Sequence, residues 1–378
     1  MKILIAPDSM KDCLSAKQVA SIIATGIGHV LPDAQVTNMP LADGGEGTTE
    51  VYVAATGGQI SFANVRDPLM RPMKAKWGMS QDRQTAIIEL ASASGLELLT
   101  KTERNPWETT TYGTGQLIQE AIKAGVKNIL LAIGGSATND GGAGILAALG
   151  AEFTGSHQQK VKPAGGYLSK IHKANFMPAL ESLQSIALTV ACDVKNPLTG
   201  PTGASYVYAN QKGADEKMII ALDQNLKYWA EIIKRHTGRS IENIPGSGAA
   251  GGTGGGMLIF PHARLMPGFQ MISKALNLEE HIKACDVVIT AEGKTDKQTL
   301  SGKVPAEIAK LAQKYQKPAF LICGIAEKGH EGLYDLGISE IIPLSSSYTP
   351  THETLEKAPY FLQKASEKIA KLLADGNY

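Results

Sequence analysis

The 378-residue chain is short of the groups on which several chemistries depend. Its four cysteines, Cys13, Cys192, Cys285 and Cys323, stand far apart with no CxxC pair, which argues against a zinc knuckle. Three of them follow or sit within apolar segments and read as small buried hydrophobes. The eight histidines show no HxxxH or HxH spacing, so zinc ligation has no frame there either. Excess charge is missing: 37 basic residues against 36 acidic ones leave a net +1, and nothing calls for a nucleic-acid partner. No apolar run approaches a membrane span, and the opening MKILIAPDS meets Asp8 too early for a signal-peptide core. A reducing, cytoplasmic setting is the default expectation. Familiar fingerprints are absent too. No GKS or GKT closes a Walker loop, and no GxGxxG follows the first apolar run. Ser9 and Ser136 lie in no GxSxG elbow, which leaves serine hydrolysis poorly supported.

What is present is a globular pattern, 43% hydrophobic and 19% charged, on a chain long enough for two domains. Its 40 glycines concentrate in loops, above all in IGGSATNDGGAG at Ile133–Gly144. That stretch joins an apolar run to a helical pattern, and such a junction places backbone N–H groups beside short polar side chains, which suits a phosphate or another anion. Lys2–Ala6 reads as a buried parallel strand, and Ser15 as the N-cap of a helix over 16–29. Gln59–Val65, Arg71–Met79 and Thr85–Glu89 read as an antiparallel meander. Asn128–Ile133, Ser185–Ala191, Cys285–Thr290, Pro318–Cys323 and Glu340–Leu344 read as further strands, with helices between and a closing helical stretch over 351–373. Asn196–Asn210 reads as an ordered loop, and Gly246–Gly256 as an active loop or a close-packed helix start. The expected fold is α/β: a Rossmann-like parallel-sheet domain assembled from both chain ends, with a second α/β domain inserted. The expected boundaries are 1–60, 115–150 and 280–378 for the first domain, and 61–114 with 151–279 for the second.

Four acidic clusters sit beyond expected strands: Asp8-Ser9-Met10-Lys11, Asp43-Gly44-Gly45-Glu46, Asp193-Val194-Lys195-Asn196 and Glu292-Gly293-Lys294-Thr295-Asp296. Carboxylates at the carboxyl ends of parallel strands suit Mg²⁺ or a base toward a hydroxyl. Lys11 and Lys294 suit phosphate oxygens, and Arg66 suits a carboxylate. Each has a plainer reading, as a helix cap for the acids and as a pair with Asp67 or a solvated side chain for Arg66. His262 reads as a loop or capping residue. Phosphoryl transfer uses this combination of groups. A nicotinamide-dependent 2-hydroxy-acid dehydrogenase and a non-catalytic nucleotide or sugar-acid binding module are the rivals, and a magnesium requirement separates the first reading from both.

Over nearly its full length the chain resembles the bacterial type I glycerate kinases. The resemblance is carried by IAPDSMK at Ile5–Lys11, ADGGEGT at Ala42–Thr48, DPL at Asp67–Leu69 and the glycine stretch at Ile133–Gly144. CDVxNPL at Cys192–Leu198, GxGAAGGxG at Gly246–Gly254 and EGKTDxQTxxGK at Glu292–Lys303 complete it. It implies a two-domain α/β kinase with its active site in the cleft between domains, transferring the γ-phosphate of ATP to D-glycerate. The expected product is 2-phosphoglycerate, with 3-phosphoglycerate as the alternative, in glycolate, glucarate or galactarate breakdown. The family's Gly-Glu-Gly-Arg is here Ala291-Glu292-Gly293-Lys294, which keeps the charge and loses the guanidinium fork. On this reading Gly134, Gly135, Ser136, Thr138 and Asn139, with Gly251, Gly252, Thr253 and Gly254, hold the phosphates. Asp43, Glu46 and Asp296 are the Mg²⁺ carboxylates. Asp8, Ser9, Arg66 and Asn196 bind glycerate, with Lys11 and Lys294 as catalytic cations and Asp193 as the base. Neither a nucleic acid nor a membrane is an expected partner, and the chain is expected to be a monomer or homodimer.

Overall fold

The computed structural model describes residues 1–10, 13–42, 44–45, 47–345 and 356–376. In chain order, β1 (Lys2–Ile5) and β2 (Gln35–Asn38) come first. The middle of the chain supplies β3 (Gln59–Arg66), β4 (Pro72–Met79), β5 (Thr85–Glu89), β6 (Asn128–Ala132), β7 (Glu152–Thr154), β8 (Lys173–Asn175), β9 (Ala187–Ala191) and β10 (Ala263–Met266). The end supplies β11 (Val287–Thr295), β12 (Ala319–Ala326) and β13 (Ile338–Pro343). Two units result, Met1–Asp43 with Ile272–Tyr378, and Gly44–Met271.

The first unit is a five-stranded, all-parallel sheet in the order β13-β12-β11-β1-β2. Its central strands are continuous apolar runs because both faces are covered. One face packs on helix Ala16–Val30, where Val19, Ile23 and Ile27 are buried with Ile3, Ile5 and Phe320. Ser15 starts that helix with a capping box: its hydroxyl accepts from the Gln18 N–H, and the Gln18 side chain accepts from the Ser15 N–H. Helix Ala358–Ala374 crosses it at Gly26, where an added Cβ would lie 2.7 Å from both the Gln363 carbonyl and the Ser366 Cβ. β11 runs five residues beyond the expected Thr290. Glu292 to Thr295 are therefore strand, and Thr295 still pairs with Ala326 of β12.

In the second unit the order is β10-β9-β6-β5-β4-β3. Four strands, β10 to β5, are parallel, and the expected meander over β3, β4 and β5 is antiparallel. Strands β7 and β8 form a separate antiparallel pair. The expected grouping of 115–150 with the chain ends does not hold, because β6 is hydrogen-bonded between β5 and β9. Residues 44–60 likewise belong to this middle unit, and 272–279 to the first. An apolar strand pattern shows that a segment is buried in a sheet but not in which sheet. The stretch over 196–210 holds a short helix, Ala204–Tyr208, where a loop was expected. Among the described residues no helix is long and apolar enough to cross a membrane.

Gly26→Val should destabilise the first unit by about 1–3 kcal/mol through overpacking. Urea unfolding followed by circular dichroism reads this directly, and an unchanged midpoint would mean that the helix crossing is not tightly packed.

Candidate active site

In the second unit the carboxyl ends of parallel strands β5, β6 and β9 lie side by side, at Glu89, Ala132 and Ala191. Ligands of open parallel sheets bind beyond such ends. The chain leaves β6 through Ile133 and enters the glycine turn. Gly134 and Gly135 are exposed, and Ser136 is 8% exposed at the turn's rim. Residues 94–96 pin the turn: the Leu96 N–H donates to the Gly135 carbonyl (2.8 Å) and the Ala137 N–H to the Ser94 carbonyl (2.9 Å). Among the described residues the N–H groups of Gly134, Gly135 and Ser136 meet no intramolecular acceptor. The turn can therefore offer them to an anion.

Below the turn lies Asp140, fully buried. One carboxylate oxygen accepts from the Thr111 N–H (2.8 Å), the Thr111 hydroxyl (2.9 Å) and the Gly144 N–H (3.1 Å), and the other from the Gly142 N–H (3.1 Å). Asp140 thus caps two helices together, Tyr112–Lys123 and Ala143–Ala148. Burial pushes its carboxyl above the usual range, and the donors of Thr111, Gly144 and Gly142 pull it back. Trp229, on helix Glu216–Thr237, donates its indole N–H to the Gly141 carbonyl (3.0 Å). Gly141 has φ +60, and a Cβ there would lie 2.5 Å from the Trp229 ring, so the position needs glycine on both counts.

Lys212 ends the 3₁₀ turn Asn210–Lys212 and is 2% exposed. Its ammonium donates to the Ser136 Oγ (2.8 Å) and the Thr138 carbonyl (2.7 Å). Burial pushes its pKa down to about 7, and the Asp140 carboxylate acts in the opposite direction. Asn139 Nδ2 donates to the Ser205 hydroxyl (2.9 Å), which gives the 204–212 segment a second hold on the turn. Thr138 Oγ1 and Asn139 Oδ1 are buried without a partner among the described residues.

The other expected residues divide. Gly251, Gly252, Thr253 and Gly254 are buried in the helical segment Ala249–Met257, which is kinked where Ala250, Gly251 and Gly252 take left-handed φ values of +52, +64 and +89. A Cβ on Gly251 would lie 2.0 Å from the Thr138 carbonyl, so the segment braces the turn from beneath. Asp193, just past β9, is exposed, and its Oδ1 accepts from the Gly268 N–H (2.9 Å). Asn196 spends both ends of its amide internally, on the Thr202 carbonyl and the Tyr208 hydroxyl. Arg66 is exposed and gives one N–H to the Met70 carbonyl (3.3 Å), while Asp67 pairs with Arg71 rather than with Arg66.

In the first unit, Asp8 follows β1 and accepts from the Ser9 N–H (2.6 Å). Glu292 is 4% exposed on β11 and accepts from the hydroxyls of Thr295 and Thr299, with burial pushing its carboxyl up. Lys294 pairs with Glu327 (2.9 Å) and Asp296 (3.4 Å), and these contacts, Glu327 foremost, hold its ammonium above the ordinary value. Ala291, where the resembled family has glycine, is buried in β11 and does not take a positive φ.

Lys11, Asp43 and Glu46 lie outside the described residues. Of the expected magnesium ligands that leaves Asp296, which already has an ammonium partner. Among the described residues no three His, Cys, Asp or Glu side chains gather as a metal site. No step below runs through a bound metal ion.

Lys212 and Trp229 carry no sequence signal, since a single lysine in an Ala, Tyr and Gln context and a tryptophan on an amphipathic helix have many ordinary uses. A lysine with a lowered folded-state pKa binds fewer protons folded than unfolded between about 7 and the ordinary 10.5. Its contribution to stability is therefore fullest above 10.5 and is lost as pH falls through about 7. Relative to Lys212→Met, the wild-type Tm should rise as the buffer goes from about pH 7 to about pH 9.5. A constant difference would mean that Lys212 does not titrate in that window.

The comparisons with known proteins bear on the family. The model of the "Glycerate kinase family" matches residues 3–374. The chain is 44% identical to the glycerate 2-kinase of Escherichia coli (strain K12) over 376 residues, covering 100% of this chain and 99% of that one. It is 42% identical to the glycerate kinase of Haemophilus influenzae (Rd) over 374 residues, covering 99% of each. A crystal structure of a candidate glycerate kinase 2 from Salmonella typhimurium LT2 superposes with a TM-score of 0.92 at 40% identity, over 100% of this chain and 99% of that one. With end-to-end coverage and an anion-ready turn on a parallel sheet edge, the chain belongs to the glycerate kinase family.

Proposed function

We propose that the protein transfers the γ-phosphoryl group of ATP to the C2 hydroxyl of D-glycerate, giving 2-phospho-D-glycerate. The observation that carries this reading is family membership along the whole chain, 3–374. Its site-level support is the exposed turn Gly134–Ser136, whose N–H groups are available to phosphate oxygens. Transfer through a loose transition state asks the protein for positioning and charge stabilisation rather than covalent chemistry. The choice of C2 rests on the name of the Escherichia coli relative.

In this reading the turn takes the nucleotide phosphates, and magnesium enters with the nucleotide as MgATP. Arg66 is the contact for the acceptor carboxylate, since among the described residues its guanidinium donates only to the Met70 carbonyl and a fork matches two carboxylate oxygens. Asp193 takes or orients the proton of the attacking hydroxyl. One of its oxygens is fixed by the Gly268 N–H, which sets the carboxylate's orientation. The roles of Asp8, Ser9, Lys11, Asp43, Glu46 and Lys294 rest on their motifs. Asn196, with its amide committed to Thr202 and Tyr208, shapes the loop around Asp193. The reaction is placed in the cytoplasm, in breakdown of small sugar acids.

A quenched assay with MgATP and D-glycerate, read by phosphorus NMR, should show a new monoester on the C2 oxygen. A C3 signal would keep the kinase and overturn the position, and no phosphorylated product from folded protein would overturn the activity. Asp193→Asn should lower kcat by more than about a hundredfold with folding intact, as expected for loss of a base. An unchanged kcat would remove Asp193 from that role.

A further inference from the structure

Lys212 is unusual for its place as well as for its burial. Lysine is almost never fully buried without a partner of opposite charge at bonding distance. Here the ammonium donates to neutral oxygens, the Ser136 hydroxyl and the Thr138 carbonyl. Both acceptors belong to the glycine turn. The same stretch of chain grips the turn again through Ser205 and Asn139. A structural tie alone could be made by a neutral side chain at lower desolvation cost.

The chemistry of the pair supplies a reason for the cation. An ammonium has three N–H donors and no acceptor, whereas a hydroxyl has one proton and two lone pairs. When Lys212 carries its proton, as it does below about pH 7, and donates to Ser136 Oγ, the serine proton has to point away from the ammonium. Ser136 is the turn residue at the rim, next to exposed Gly134 and Gly135. Its hydroxyl proton is thereby left for an acceptor other than Lys212, on the residue that adjoins the turn's open N–H groups. A donor polarised by a cation gives a stronger hydrogen bond to an anionic oxygen than a free serine does.

We propose that Lys212 is a positioning residue for phosphate binding, holding the Ser136 hydroxyl in the donor orientation from inside the protein without itself touching the nucleotide. This rests on the reading of the glycine turn as the nucleotide's phosphate site. It also gives the 204–212 segment a role in the site, although no motif marks it.

The test is a double-mutant cycle on Lys212→Met and Ser136→Ala, reading ATP KM, glycerate KM, kcat and Tm. Each single variant should raise the ATP KM by about tenfold, the worth of one charge-assisted hydrogen bond, with glycerate KM changed by less than about twofold. The double variant should be no worse than the more severe single, because both changes remove one oriented hydroxyl. Lys212→Arg should restore part of the ATP affinity. Additive penalties overturn the proposal, as does a Lys212→Met protein that loses Tm while keeping its ATP KM.

If Lys212→Met does not fold, the cycle is run with Lys212→Arg and judged by the same additivity. If the wild type does not phosphorylate glycerate, the kinase reading falls, and the cycle is read in ATP dissociation constants by calorimetry. Non-additive losses there uphold the role of Lys212, and a wild type that binds no ATP overturns it.

Discussion

The buried carboxylate of Asp140 is the constraint on which the second unit's site depends. A carboxyl group without water needs several hydrogen-bond partners, and Asp140 finds them on two helix starts and in its own turn. The helices Tyr112–Lys123 and Ala143–Ala148 must then begin next to each other. Gly144 permits this approach, since a Cβ there would lie 2.4 Å from the Tyr112 nitrogen. Thr111 closes the arrangement by donating to Asp140 and accepting from the Ile145 N–H (3.0 Å). The exposed part of the turn is thus the visible end of a buried knot centred on Asp140.

The turn is held from three further sides. Helix Ala249–Met257 approaches with glycines, the Gly141 N–H donating to the Gly251 carbonyl (2.9 Å). Trp229 lies under Gly141, itself packed edge-on against Phe153. Lys212 comes from the remaining side. Surrounding a short loop this way removes its freedom before any ligand arrives, so ordering costs little at binding. Glu292 in the first unit follows the same logic on a smaller scale, with two threonine hydroxyls serving one buried carboxylate.

Much of this was legible in the sequence where the physics is local. Ser15 marks a helix start as its N-cap, and the meander of β3 to β5 follows from polar alternation and turn residues. The glycine turn was legible because a strand, a helix and short polar residues bracket it. Sheet membership of β6 was not, because its run of Ile and Leu satisfies either sheet. Gly251 and its neighbours looked ligand-facing because close packing and ligand approach demand the same residue. Lys212 was hidden because its meaning comes wholly from partners more than seventy positions away, at Ser136 and Thr138.

The first unit's strand order has a consequence for how the chain is made. β1 is an interior strand of its sheet, between β2 and β11, and the Thr290 hydroxyl reaches the Ala6 carbonyl across 284 residues. During synthesis β1 and β2 leave the ribosome early, with one long edge of β1 bare until β11 follows. The whole middle unit is translated in that interval. An apolar strand with an open edge is a template for wrong pairing. The strand over residues 2–5 is therefore open to mispairing for as long as residues 44–271 are being made, and the arrival of residues 287–295 closes it.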